Sequence, residues 1–168
     1  KWTDICDKAL HRLTAYINST LDWVELAFTG GDPIQNHLGQ HADGDLAGCK
    51  LSKRSSSGAF LAMGGPATFF PFSGCYKKQT FNSHSTNESE TAAAWFALRT
   101  MGIPTKNLWE VIMSLWNECS HTVPLVFYED NDACIVNMKT GIAKTLRHLG
   151  RTQSIAMHAI KDLFDRGD

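Results

Sequence analysis

Along the first twenty positions the apolar residues Ile5, Ala9, Leu13, Tyr16 and Ile17 recur at helical spacing. With Thr3 or Asp4 placed to cap the start, they predict an amphipathic helix from Thr3 to Thr20. Residues 23–28 are a short apolar run, read as a strand, and Gly30-Gly31-Asp32-Pro33 then breaks the chain. We place a boundary there, between a leading segment, residues 1–31, and a main domain, residues 32–168. Three further strands are predicted at about 38–44, 57–64 and 67–75, with turn material at Gly48 to Ser56 and Gly64-Gly65-Pro66. Connections this short join antiparallel neighbours, because a parallel crossover needs a dozen or more residues.

The pattern then turns helical. Ser85-Thr86-Asn87-Glu88 offers caps, and an apolar run from Thr91 to Met101 is expected to end at Gly102-Ile103-Pro104. A second helix follows on Leu108, Ile112, Leu115 and Trp116. Pro124 to Tyr128 is a continuous apolar run, which predicts a strand buried on both faces. Helical stretches at about 131–139 and 153–165 close the chain. The main domain therefore reads β-β-β-α-α-β-α-α, an α/β domain with helices on a mixed sheet.

A length of 168 residues suits one core. At 43% hydrophobic and 20% charged the composition excludes disorder and coiled coil. Sixteen Lys+Arg against seventeen Asp+Glu leave a formal charge of −1, which excludes a strongly basic arm while allowing local basic patches. Three such patches stand out: Lys50, Lys53 and Arg54; Lys77 and Lys78; and Lys144, Arg147, His148 and Arg151. Each reads either as phosphate contacts or as solvated surface. The five cysteines, Cys6, Cys49, Cys75, Cys119 and Cys134, form no CxxC pair and read as buried thiols of a reducing compartment. The longest apolar stretch, Ala92 to Leu98, is too short to span a bilayer, so no membrane partner is expected. The chain opens at Lys1 and reads as a piece of something longer. Trp2, Trp23, Trp95 and Trp109 fall on apolar faces and read as core or as contacts to that larger protein.

Acidic residues stand where strands end or helices begin: Asp43 and Asp45, Glu88 and Glu90, Asp130 and Asp132. Strand ends of an open α/β sheet converge on one crevice, so these carboxylates can meet. Gathered carboxylates repel unless a cation lies between them, and hard oxygen ligands suit magnesium or manganese. The competing reading is of solvated acids, with Glu88 or Glu90 in a capping box with Ser85 or Asn87. Only one of Glu88 and Glu90 can serve a site, because two residues on a helix is a turn of about 200°. Thr91-Ala92-Ala93-Ala94 is small enough to let that helix pack closely on the sheet.

The order of these motifs adds a resemblance. His41-Ala42-Asp43-Gly44-Asp45-Leu46-Ala47-Gly48, then Ser52-Lys53-Arg54-Ser55-Ser56-Ser57-Gly58, resembles the opening of the ribonuclease H domain of copia-type LTR retrotransposon Pol polyproteins. Lys77-Lys78-Gln79-Thr80, Ser85-Thr86-Asn87-Glu88-Ser89-Glu90 and Tyr128-Glu129-Asp130-Asn131-Asp132-Ala133 continue it in the family's order. The helix reaching Thr20-Leu21, with Phe28-Thr29-Gly30, is similar to the connector that follows the reverse transcriptase there.

The resemblance implies a ribonuclease H-like fold: a five-stranded mixed sheet, three strands antiparallel, with helices packed on it. It implies a metal-dependent endonuclease that hydrolyses the RNA strand of RNA–DNA hybrids. Asp43, Glu90 and Asp130 would be the catalytic metal ligands, for two Mg2+ or alternatively Mn2+ ions. Lys53, Arg54, Ser56, Asn131 and Arg151 would contact substrate, with His148 considered as a proton shuttle against the plainer reading of a surface histidine. Its partners would be the hybrid and the reverse transcriptase of the same polyprotein, in a cytoplasmic virus-like particle or the nucleus. One departure stands out. Arg151-Thr152-Gln153-Ser154-Ile155-Ala156-Met157-His158 puts Ala156 where the family has a fourth aspartate. Asp162 is six positions on, about 240° round a helix, and is no easy replacement. The family's domain also continues past the point matched by Asp168. The alternative is therefore a catalytically degenerate domain kept as a structural or hybrid-binding module. An integrase or transposase fits less well, since their order is D, D, E and this chain reads D, E, D.

Overall fold

The computed structural model of the chain describes residues 2–115, 123–143, 146, 149–152 and 155–165, with the backbone alone for Pro33, Arg151 and Thr152. In order these form helix α1 (Asp4–Ser19), strands β1 (His37–Asp45), β2 (Ser56–Gly65) and β3 (Thr68–Lys78), and helices α2 (Thr86–Ala97) and α3 (Ile103–Leu115). Strand β4 (Leu125–Tyr128) and helices α4 (Asp132–Thr140), α5 (Leu149–Thr152) and α6 (Met157–Asp165) follow. The basic residues Lys144, Arg147 and His148, together with Trp116 and Cys119, lie outside the described residues.

The strands make one mixed sheet in the order β3-β2-β1-β4. β1 runs antiparallel to β2, with Asp43 opposite Gly58, and parallel to β4, with His41 opposite Tyr128. β2 and β3 are antiparallel, with a register shift between Leu61 and Ala62. The short connections thus give antiparallel neighbours, as expected. The sheet has four strands among the described residues, not the five expected. The run at 23–28 is not a strand either. It contributes a single bridge, Phe28 to Phe69, and its Trp23, Val24 and Leu26 side chains stand in solvent with no neighbouring strand to hold them.

Packing is one-sided. Leu38, Leu61 and Met63 meet Ala97 and Met101 in one buried cluster, while His41, Phe60 and Tyr128 point the other way and are exposed. That is why β4 is half-buried from Leu125 to Phe127 rather than buried on both faces. A second cluster joins Ala92, Ala94 and Leu98 to Cys134 and Met138 of α4 and to Leu149, Ile155 and Ile160. The small run is what allows α2 to sit between these layers: Thr91, Ala93 and Ala94 are fully buried. Asn131 caps α4, its Oδ1 accepting from the Cys134 N–H at 2.9 Å, and Asn137 Nδ2 donates to Asn87 Oδ1 at 3.1 Å to tie α4 to α2.

Gly102-Ile103-Pro104 does not end the helical path. Leu98–Gly102 forms a π-helical turn in which the Ile103 N–H donates to the Leu98 carbonyl, and α3 continues directly from Ile103. Pro104 follows this turn directly, and the wider turn makes room for its ring. Helix α1 buries none of its residues, so its stripe of Ile5, Leu13, Tyr16 and Ile17 faces solvent, as do Trp2 and Trp23. Trp95 and Trp109 are half-buried. Of the four described thiols only Cys134 is buried; Cys6, Cys49 and Cys75 are half-buried, and all four are free. No helix among the described residues is long and apolar enough to cross a membrane.

Candidate functional site

β4 stops opposite His41 of its parallel neighbour β1, which runs on to Asp45, and that brings two distant acidic segments together. Asp43, near the end of β1, and Glu129-Asp130, just beyond β4, line one cavity with His41 and Tyr128, whose rings stack at 4.5 Å. Helix α2 supplies the third segment. It crosses β1 so closely that a Cβ on Gly44 would stand 2.6 Å from the Ser89 carbonyl and 2.7 Å from the Glu90 nitrogen. Only a glycine permits that approach. Through it the Glu90 carboxyl comes under the influence of the Gly44 N–H, which favours its charged form.

The start of α2 is fixed from two sides. Ser85 Oγ accepts from the Glu88 N–H at 3.2 Å, and Glu88 Oε2 accepts from the His84 N–H at 2.8 Å. Glu88 therefore serves the cap while Glu90 turns to the acids, the division of roles that helix geometry requires. Gln79, from the Lys77-Lys78-Gln79-Thr80 motif, locks the sheet to the same turn. Its Nε2 donates at 3.0 Å to both Ser57 Oγ and the Ser89 carbonyl, and its Oε1 accepts from Ser83 Oγ at 2.9 Å.

Carboxylate oxygens of Glu90, Glu129 and Asp130 lie within 4.8 Å of one another. Glu90 is only 5% exposed, yet its Oε2 has no hydrogen-bond partner among the described residues, and neither has Glu129 Oε2. Burial, then repulsion from Glu129, pushes the Glu90 carboxyl up to about 7, with Asp43 and Asp130 adding to the rise and the Gly44 N–H opposing it. Glu129 is also pushed up to about 7, first by burial, against the Asn131 N–H that donates to its Oε1 at 3.2 Å. A buried carboxylate oxygen left without a donor is under-satisfied as an anion. A divalent cation could be held among the Glu90, Glu129 and Asp130 oxygens. The converging donors are hard oxygens, which suit Mg2+ or Mn2+ and not the sulfur and nitrogen sets that favour zinc.

Comparison with protein-family models, with curated proteins and with solved structures returns no match. The geometry therefore carries the assignment of roles. It brings Asp43, Glu90 and Asp130 into one neighbourhood, as their placement at strand ends and a helix start leads one to expect. It adds Glu129, which the sequence reading passes over. Strand alternation would send neighbours Glu129 and Asp130 to opposite faces, but β4 stops at Tyr128 and the rule lapses before them.

The other residues singled out are more dispersed. Lys53 and Arg54 are exposed on the turn between β1 and β2, Lys53 with a φ of 55°. The hydroxyl of buried Ser56 is engaged with Tyr76 Oη at 2.5 Å, and Asn131 is occupied as the α4 cap. Arg151 lies in α5 with only its backbone described, and His148 is outside the described residues. Ala156 lines a different cavity, with Gly141, Ile142 and His158, away from the one that holds Asp43 and Asp130.

Proposed function

We propose that this chain is a ribonuclease H-like, metal-dependent endonuclease that hydrolyses the RNA strand of RNA–DNA hybrids during retrotransposon reverse transcription. The observation that carries the reading is Glu90: a buried carboxylate with an unpartnered oxygen, set among Asp43, Glu129 and Asp130. The sheet order β3-β2-β1-β4 with α2 laid across β1 supports the ribonuclease H-like assignment. The ordered motifs supply the substrate class.

Asp43, Glu90 and Asp130 would hold the Mg2+ or Mn2+, with Glu129 as a fourth carboxylate. Bound there, such a cation supplies Lewis-acid activation of water and charge neutralisation at phosphorus. Glu90, brought against β1 at Gly44, must give up its raised-pKa proton before it can serve as a ligand. Lys53 and Arg54, on the turn beside the end of β1, are placed to meet phosphates as a strand enters. The reading carries with it the reverse transcriptase of the same polyprotein as partner and a virus-like particle or the nucleus as location.

A second reading, a non-catalytic hybrid-binding module, is favoured by Ala156, which offers no carboxylate at the position the resemblance gives to one. Incubation of the full chain with hybrids labelled on one strand or the other separates the two. Cutting of the RNA strand alone, dependent on Mg2+ or Mn2+ and lost in Asp43→Asn, supports the nuclease. Hybrid binding without cutting in either metal, by folded protein, leaves the module.

A further inference from the structure

A second cavity, of about 330 Å3, opens between the end of β3, the loop after it and the side of α2. Its charged lining residues are Lys77, Lys78 and Arg99, and no acid is among them. Two of these cations lie over rings. The Arg99 guanidinium is 5.4 Å from the Trp95 centroid, and the Lys77 ammonium is 5.7 Å from that of Phe96. Those ring contacts fix the cations at the rim without neutralising them. Lys78 is partly engaged, donating to Cys49 Sγ at 2.8 Å. The Trp95 Nε1–H is buried and finds no acceptor among the described residues. Phe81, Thr80 and Thr100 complete the walls.

Cations at the rim, aromatic walls, hydroxyl donors and the absence of carboxylates among the described lining residues complement a flat heterocycle joined to a phosphate. We propose that this cleft binds a single nucleotide, its phosphate held by Lys77 and Arg99 and its base packed among Phe81, Trp95 and Phe96. The site is chemically the reverse of the acidic cluster, so it needs no metal. Trp95 follows Glu90 by five residues on α2, a turn of about 140°, so the cleft opens on a different side of that helix from the acidic group.

Calorimetric titration of the full chain in EDTA tests the cleft alone, with adenosine 5′-monophosphate, adenosine and inorganic phosphate as separate arms. The monophosphate is expected to bind at least tenfold more tightly than either fragment. The Lys77→Gln/Arg99→Gln double variant, both changes on the surface, is expected to lose at least tenfold of that affinity, while Asp43→Asn keeps it. Phosphate binding as well as the monophosphate would mean a plain anion patch and overturn the proposal, as would an unchanged double variant. Because no metal or cleavage enters the assay, failure of the nuclease reading and failure of this one are told apart.

Discussion

Gly44 and Glu90 meet at a backbone approach that only a side chain of hydrogen allows: a Cβ on Gly44 would stand 2.7 Å from the Glu90 nitrogen and 2.6 Å from the Ser89 carbonyl. Gly44→Ala must push against the backbone of Ser89 and Glu90, not against a flexible side chain. We expect a loss of about 1–3 kcal/mol in denaturant unfolding, the usual range for overpacking. We also expect a larger fractional loss of metal-induced stabilisation, because the strain falls on the Glu90 turn. Equal loss with and without Mg2+ would separate Gly44 from the site.

Glu90→Gln removes one charge from the acidic group and keeps its shape. In EDTA at pH 8 the variant is expected to melt above the parent, since desolvated, mutually repelling carboxylates destabilise the metal-free chain. In excess Mn2+ the order should reverse, because the parent gains a bound ion and the variant does not. Thermal melts in both buffers check this, and a variant less stable in EDTA would contradict it.

The pH dependence of the metal-free chain follows from the same groups. Glu90 and Glu129 hold their protons to about 7 when folded, against an ordinary 4.5. Across that window the folded chain binds more protons than the unfolded one, so these groups make stability fall as pH rises from about 4.5 to about 7 and level off above. Unfolding midpoints measured across pH 4–8 in EDTA should show that fall, and it should be shallower in Glu90→Gln. Parallel profiles for the two proteins would sink the attribution.

Gln79 is buried and spans Ser57, Ser83 and Ser89. Gln79→Ala leaves the Ser89 carbonyl and two hydroxyls without this partner, at a cost of about 1–3 kcal/mol for the unmet groups. Urea unfolding checks the magnitude; a change under about 0.5 kcal/mol would place the residue among ordinary surface substitutions.

Much of the fold follows from local pattern. The spacing of Ile5 to Ile17 marks α1, the short turns give the antiparallel β1-β2-β3 run, and Ser85 with Glu88 forms the cap. What the pattern misreads is tertiary. The apolar run at 23–28 looks like a strand, yet no strand lies beside it beyond the bridge at Phe69. The Gly-Ile-Pro sequence looks like a helix stop until a π-helical turn absorbs the proline. For the site, Asp43, Glu90 and Asp130 were legible as acids at element ends. Glu129 was not, because its direction depends on where β4 stops. The aromatic and cationic cleft along α2 was legible only as a pair of lysines, since Arg99 and Trp95 join it through helix packing.

The central claim is that these carboxylates form one cation site, and calorimetric titration of Mn2+ into the EDTA-stripped, dialysed chain tests it most directly. The account predicts saturable binding that weakens at least tenfold in Glu90→Gln and also in Asp130→Asn, with both variants folded. Absence of binding, or binding unchanged in both variants, would contradict it.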